Sequence, residues 1–343
     1  MSKWLPSDEP FLLRAIALAE QYVGRTAPNP AVGAVCVRDG VILGEGAHQC
    51  AGTPHAEVHC LAQCPEDLTG ATLYVTLEPC STTGRTPPCC DLILKRKPAR
   101  VVMGCLDPNP RHAGRAIPKL EAAGIEVVIA EGKAAEASQT LLAPFAKAIT
   151  CGLPYMRVKL AMTLDGYLAD CDHTSRWITG TPAREWVQYQ RLRADAVMVG
   201  AGTARIDHPS LQPHLADAPK KWRVIIDRSE PVSPTDRDEK TLIATEDLGY
   251  DGTHLEAPLR ALCQRGINEI FCEGGGQLAA ALLEQKLVDE LILIYAPKLL
   301  GDVAAVRGLP ITPRRLPEAM QFEVLERMLL DEDTLVRLTP KRL

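Results

Sequence analysis

His55 and Glu57 stand two residues apart in TPHAEVHC, residues 53–60, with His59 close behind. An imidazole can ligate a metal and a carboxylate can carry a proton, but two residues do not make a site. Further donors lie downstream in EPCSTTGRTPPCCDLILK, residues 78–95. There Pro79-Cys80 closes an apolar run, and Pro87-Pro88 precede Cys89, which opens a helical pattern. A cysteine at a helix N-terminus has its thiolate stabilised by free backbone N–H groups and by the helix dipole. His55, Cys80 and Cys89 therefore offer one nitrogen and two sulfurs. That set suits one tetrahedral zinc per chain, with a fourth position open to water. The open position marks a catalytic site, because zinc lowers the pKa of such a water towards about 7. Glu57 is placed to take the water's proton and hand it to a leaving group. Cys90 competes with Cys89 as the third ligand. Cys89 is preferred because it directly follows the paired prolines, whereas Cys90 points about a quarter-turn away. His59, Cys60 and Cys64 read as residues on the face of the first helix.

These side chains need a frame, and the hydrophobic pattern supplies one. AVGAVCV, ATLYVTL, ARVVMGCL and IEVVIA read as strands in the first half. HAEVHCLAQC, the segment after Cys89 and AIPKLEAAG read as helices between them. Near the N-terminus, Phe11, Leu12, Ala15, Ile16, Ala19 and Tyr22 follow the helical period, with Ser7 or Asp8 as the cap. In the second half RVKLAMTLDG, ADAVMVGAG, WRVIID, KTLIAT, NEIFCEGGG and DELILIYAP read as strands, and TPAREWVQYQRL and QLAAALLEQKL as helices. Alternation of this kind indicates α/β sheets. A helical pattern ends at Gly152-Leu153-Pro154. The expected domains are therefore residues 1–150 and 151–343.

Composition narrows the function classes. The 343 residues carry a net charge of −5 with the signs intermixed, and only 4% are aromatic. A nucleic-acid strand binder needs a basic, aromatic-bearing surface, so nucleic acid is not an expected partner. No apolar run approaches the roughly 18–20 residues of a membrane helix. The N-terminus lacks the basic and then apolar pattern of a secretory signal, which points to the cytoplasm. The twelve cysteines are then mostly reduced and buried, with a few serving as ligands. A homo-oligomer is expected.

His-x-Glu followed by Pro-Cys is the signature of the zinc deaminases, in which the Glu is not a ligand. APNPAVGAVCV, GAHQCAGTPHAEVH, TLEPCSTTGRTPPCCDLIL and LDPNPRHAGRAI together closely resemble the deaminase half of the bifunctional riboflavin-biosynthesis deaminase/reductases. VKLAMTLDGYLA, SRWITG, DAVMVGAGTARIDHPSL and CEGGGQLAAALLEQKLVDELILIYAPKLLG resemble the reductase half. The resemblance covers nearly the whole chain. It implies a cytidine-deaminase-like α/β/α sandwich followed by a dihydrofolate-reductase-like α/β domain that binds NADPH. It also implies a phosphorylated pyrimidine as the small-molecule substrate. The family's zinc ligands fall on His55, Cys80 and Cys89, its proton donor on Glu57, and its deaminase substrate contacts on Asn29 and His48. In the second half, cofactor positions fall on Ala161, Trp177, Thr203, Asp207 and Gly275. Substrate positions there fall on Ser175, Arg191, Leu211 and Glu273. Arg191 suits a two-point grip on phosphate. No G-x-G-x-x-G follows the first strand of this half. GAGT at 200–203 and EGGG at 273–276 read as glycine-rich turns through which a backbone can approach phosphate. The chain departs from the family in two places. Thr82 stands where the family carries His, and His214 stands where it carries an Arg for the anionic substrate.

Overall fold

The computed structural model describes residues 3–82, 87–228, 237–302 and 304–341. Within the GRTPPC segment, Gly84, Arg85 and Thr86 lie outside the described residues. The chain forms two compact units, Met1–Gly152 and Leu153–Leu343.

The first unit runs α1 (Glu9–Glu20), β1 (Gly33–Arg38), β2 (Val41–Ala47), α2 (Ala56–Ala62), β3 (Thr72–Val75), α3 (Cys89–Arg96), β4 (Arg100–Met103), α4 (Ala116–Ala122), β5 (Glu126–Ile129) and α5 (Gly132–Cys151). Its sheet has the order β2-β1-β3-β4-β5, with β1 antiparallel to both neighbours and β3, β4 and β5 parallel. Alternate strand residues serve opposite faces, as the two-residue period requires. Leu73, Val75, Val101 and Met103 join a core with Leu61, Ile93 and Leu120 from α2, α3 and α4. Tyr74, Val102 and Val128 face the other way, onto Leu12, Ile16 and Ala134 from α1 and α5. The unit is an α/β/α sandwich. Asp8 does precede α1, but its carboxylate does not cap that helix. It instead accepts from the Leu5 N–H at 2.9 Å, from Tyr74 Oη at 2.8 Å and from both Arg100 Nη groups. A buried acceptor among three donors outweighs one exposed cap bond.

The second unit runs β6 (Tyr155–Thr163), β7 (Tyr167–Ala169), α6 (Thr181–Arg193), β8 (Ala196–Gly200), α7 (Ala201–Asp207), β9 (Trp222–Ile226), β10 (Thr241–Ile243), α8 (Ala244–Asp247), α9 (Glu256–Gln264), β11 (Glu269–Cys272), α10 (Gly276–Glu284), β12 (Glu290–Ala296), β13 (Val306–Arg307), β14 (Phe322–Leu330) and β15 (Asp333–Pro340). The main sheet is ordered β10-β9-β8-β11-β6-β12-β15-β14. Its strands are parallel from β10 to β12, and an antiparallel β15-β14 edge completes it. α9 and α10 cover one face through Leu259, Leu262, Leu278 and Leu282. α6 covers the other through Ala183 and Val187, against Phe271 and Ile292.

The expected strands are present, most of them trimmed at one or both ends. GAGT is not a turn: Gly200 ends β8 and α7 begins at once. In EGGG the strand stops at Cys272, and only Gly276 enters the next helix.

Candidate functional site

His55 occupies the N-cap of α2 with extended backbone angles, φ −75° and ψ 167°. Its ring therefore projects away from the helix end. One turn of backbone closes behind it, with Val58 N–H and His59 N–H donating to the His55 carbonyl at 3.1 and 3.2 Å. Two glycines of β2 let α2 sit this close to the sheet. A Cβ on Gly46 would lie 2.5 Å from both the Ala56 oxygen and the Cys60 nitrogen. Any side chain there would push the helix, and His55 with it, outward.

Cys80 leaves the C-terminal end of β3, and Cys89 is the first residue of α3 after Pro88. His55 Nδ1 lies 3.3 Å from Cys89 Sγ and 3.6 Å from Cys80 Sγ. The three donor atoms all fall within 4.8 Å of one another. One nitrogen and two sulfurs at that spacing fit zinc. The Cys89 backbone N–H donates to Cys80 Sγ at 3.2 Å, so the helix end supports the thiolate of its neighbour. Hydrogen bonding from Cys89 and His55 holds Cys80 well below the ordinary thiol range. Cys90 turns the other way, into the core, with its Sγ 3.5 Å from the Pro79 carbonyl.

Glu57 sits in the first turn of α2 and is 4% exposed. Burial pushes its carboxyl above the ordinary value, against the opposing pull of its own backbone N–H. His48 is also buried, and burial lowers its pKa. Its Nδ1 faces the Pro54 carbonyl at 3.1 Å, and its Nε2 faces Asn29 Nδ2 at 3.0 Å. A carbonyl can only accept, so Nδ1 carries the proton and Nε2 accepts from Asn29. The His48 and His55 rings meet edge-on with centroids 5.3 Å apart. Asn29, His48, His55, Cys80 and Cys89 thus form one connected group.

Glu78 is a residue that the motif reading passed over. Its carboxylate accepts from three backbone N–H groups: Asp107 at 3.1 Å, Gly114 at 2.8 Å and Ala116 at 2.9 Å. It ties the loop before α4 to the segment that carries Cys80. An acid beside a ligand cysteine was the available signal, but its partners lie 29–38 residues away.

In the second unit, α7 and α10 start side by side at the C-terminal ends of the neighbouring strands β8 and β11. A Cβ on Gly274 would lie 2.8 Å from the Gly200 nitrogen, so only glycine admits this approach. Gly275 N–H donates to Thr203 Oγ1 at 3.2 Å. Helix starts and glycine backbone at adjacent strand ends suit a nucleotide's phosphates. Arg176 donates to the Asp207 carbonyl at 3.0 Å, which links the Trp177 segment to the end of α7. Trp177 is 64% exposed, and the Arg184 guanidinium lies 4.6 Å from its ring centroid. Arg191 pairs with Glu273 and donates to the Gln212 carbonyl at 3.2 Å, next to Leu211. Lys159, unremarked in the sequence, faces the charges of both; desolvation lowers its pKa and Glu273 opposes that shift. No described side-chain bond joins Ala161 or Ser175 to these groups. His214 Nε2 lies 2.9 Å from Ser210 Oγ.

Residues 5–105 match the cytidine and deoxycytidylate deaminase zinc-binding region, and residues 154–327 match the RibD C-terminal domain. The chain is 39% identical to the riboflavin biosynthesis protein RibD of Escherichia coli K12, over 93% of this chain and 95% of that protein. It is 36% identical to the RibD of Haemophilus influenzae, over 99% and 100%. Among solved structures, Acinetobacter baumannii RibD superposes with a TM-score of 0.88 at 36% identity, covering 98% of this chain and 99% of that one. The diaminohydroxyphosphoribosylaminopyrimidine deaminase/5-amino-6-(5-phosphoribosylamino)uracil reductase of Thermotoga maritima superposes with a TM-score of 0.89 at 34% identity and the same coverage. Identity at this level across both units, in the same order, is a likeness of the whole chain and not of one borrowed domain, and the chain belongs to the RibD family of bifunctional riboflavin-biosynthesis deaminase/reductases.

Proposed function

We propose that the first unit hydrolytically deaminates 2,5-diamino-6-ribosylamino-4(3H)-pyrimidinone 5′-phosphate. The second unit then reduces the ribose of the product to a ribityl chain with NADPH. The observation that carries the first step is the helix end shared by His55 and the buried Glu57, set against Cys80 and Cys89. Zinc held by these three ligands would supply an activated water and charge stabilisation. Glu57 takes the water's proton and delivers it to the departing amine. A carboxyl whose pKa burial has raised is better matched to both transfers near neutral pH. Asn29 and His48 orient the pyrimidine, with His48 Nε2 fixing the Asn29 amide.

In the second unit, Thr203, Asp207 and Gly275, with Ala161 and Trp177, form the cofactor side. Arg191, Glu273, Leu211 and Ser175 form the substrate side. Their task is to bring the nicotinamide hydride to C1 of the opened sugar. Lys159 of β6, whose charge interacts with both Glu273 and Arg191, belongs with the substrate side.

Among the described residues no cysteine pairs in a disulfide, which together with the thiolate ligands suits a reducing compartment, and we place the protein in the cytoplasm. Among the described residues no helix is long and apolar enough to cross a membrane. A homo-oligomer remains part of this reading and is measured by light scattering.

The deciding experiment incubates the protein with the diamino substrate, with and without NADPH, and follows the products by mass. Exchange of an amino group for oxygen without NADPH, and gain of two hydrogens only with it, supports the reading. Absence of the first change refutes the deaminase assignment, and absence of the second refutes the reductase assignment.

A further inference from the structure

Thr82 Oγ1 lies 3.4 Å from His112 Nδ1. We propose that His112 is a substrate-binding residue of the deaminase unit, braced by Thr82, and that it contacts the anionic ribosyl-phosphate arm. The inference rests on the deaminase reading above and assigns a recognition residue within it.

Three observations carry it. The first is position. Thr82 is two residues beyond Cys80, so the His112 ring stands against the segment that presents a ligand thiol. The second is rigidity. The loop bearing His112 is pinned by the three N–H groups that Glu78 accepts. It is stiffened by Asp107 accepting from the Asn109 N–H at 2.8 Å, and by the Asn109 carbonyl accepting from the His112 N–H at 2.8 Å. Lys119 adds a bond to the Ser81 carbonyl at 2.7 Å. The imidazole is thus held by both chain segments, and its Nε2 makes no hydrogen bond among the described residues.

The third observation is charge. Glu57 and Asp107 place carboxyl groups beside the donor cluster, which a phosphate-bearing substrate must approach. The loop offsets them with Arg111, His112 and Arg115. The side chains of Arg111 and Arg115 are exposed and form no ion pair among the described residues. His112 is the member of this set that touches the Cys80 segment. Thr82 holds that imidazole beside the chain segment that carries Cys80.

The test compares wild type with His112→Ala, His112→Asn and Thr82→His/His112→Ala. Each is assayed on the phosphorylated diamino substrate and on its dephosphorylated ribosyl counterpart, and zinc content is measured in parallel. Loss of one charge-assisted bond to phosphate should raise KM for the phosphorylated compound by about tenfold in His112→Ala, with kcat nearly unchanged. His112→Asn should fall between wild type and His112→Ala. Zinc content and turnover of the dephosphorylated compound should not change. The double variant should recover most of the loss, because it returns an imidazole to the site from position 82. An unchanged KM in both single variants overturns the assignment. So does an equal loss on both compounds, which would mark a structural role. A wild type that does not deaminate the phosphorylated compound at all overturns the deaminase reading, and this proposal with it.

Discussion

Arg191 and Glu273, 82 residues apart, meet as a two-point ion pair: Nε to Oε1 at 2.5 Å and Nη2 to Oε2 at 3.0 Å. Both side chains are largely buried, so each is the other's neutralising partner. A phosphate brought to Arg191 would therefore share the guanidinium with Glu273 or displace that carboxylate. Removing one partner strands a charge, and Glu273→Ala should destabilise the reductase unit by roughly 3–5 kcal/mol. Calorimetry on Glu273→Ala and on Arg191→Ala/Glu273→Ala checks this. The double variant should be the more stable of the two, and the reverse order would show that the pair is not what holds the site.

Cys89 and Cys90 are adjacent, yet the fold turns one towards His55 and the other into the core. Cys89→Ser should lose near-stoichiometric zinc, measured by elemental analysis. Cys90→Ser should keep it while losing some stability, since a hydroxyl replaces a buried thiol. Retention of zinc in Cys89→Ser with loss in Cys90→Ser would reverse the assignment.

Glu57→Gln should bind zinc as wild type does and lose deamination by roughly 10²–10⁴-fold. An amide cannot take a proton from water at neutral pH. Supplied with the deaminated intermediate and NADPH, the same variant should reduce it at the wild-type rate, because the zinc donors and Glu57 lie in the first unit alone. Near-normal deamination by Glu57→Gln would remove Glu57 from the chemistry.

Asp195 accepts the backbone N–H groups of Asn268 and Glu269 at 2.9 and 3.0 Å, where β8 and β11 begin. Desolvation first, and then the charge of Glu269, push its carboxyl up to about 7 from an ordinary 3.8. A folded value above the unfolded one means that folding favours the protonated form. The associated stability is complete below the unfolded value and is lost as pH rises through about 7. The thermal midpoint of the reductase unit should therefore fall between about pH 4 and pH 7 and level off above that, and Asp195→Asn should flatten the fall. Parallel curves for the two proteins would assign the pH dependence elsewhere.

The deaminase chemistry was legible in the chain because its parts are local. His55 and Glu57 share one helix start, and a proline pair sets Cys89 at the first turn of another. The alternation of apolar strands and amphipathic helices was legible for the same reason, since period 2 and period 3.6 are properties of neighbouring residues. What the chain did not disclose is non-local or sterically specific. β2 was missed because Gly44 and Gly46 carry no strand signal, yet those glycines are what admit α2 to the sheet. β14 and β15 were missed because they form a half-exposed edge whose apolar pattern is broken by Glu323, Glu326 and Arg327. The reductase cofactor and substrate positions came from resemblance and not from the residues themselves. Tertiary structure alone decided that Glu78 braces the loop before α4, that Asp8 serves Tyr74 and Arg100 and not a helix cap, and that Arg191 is held by Glu273. It also placed His112 against Thr82. A hydrogen bond depends on two groups being brought together, and the residues that meet in these pairs are 29 to 92 positions apart.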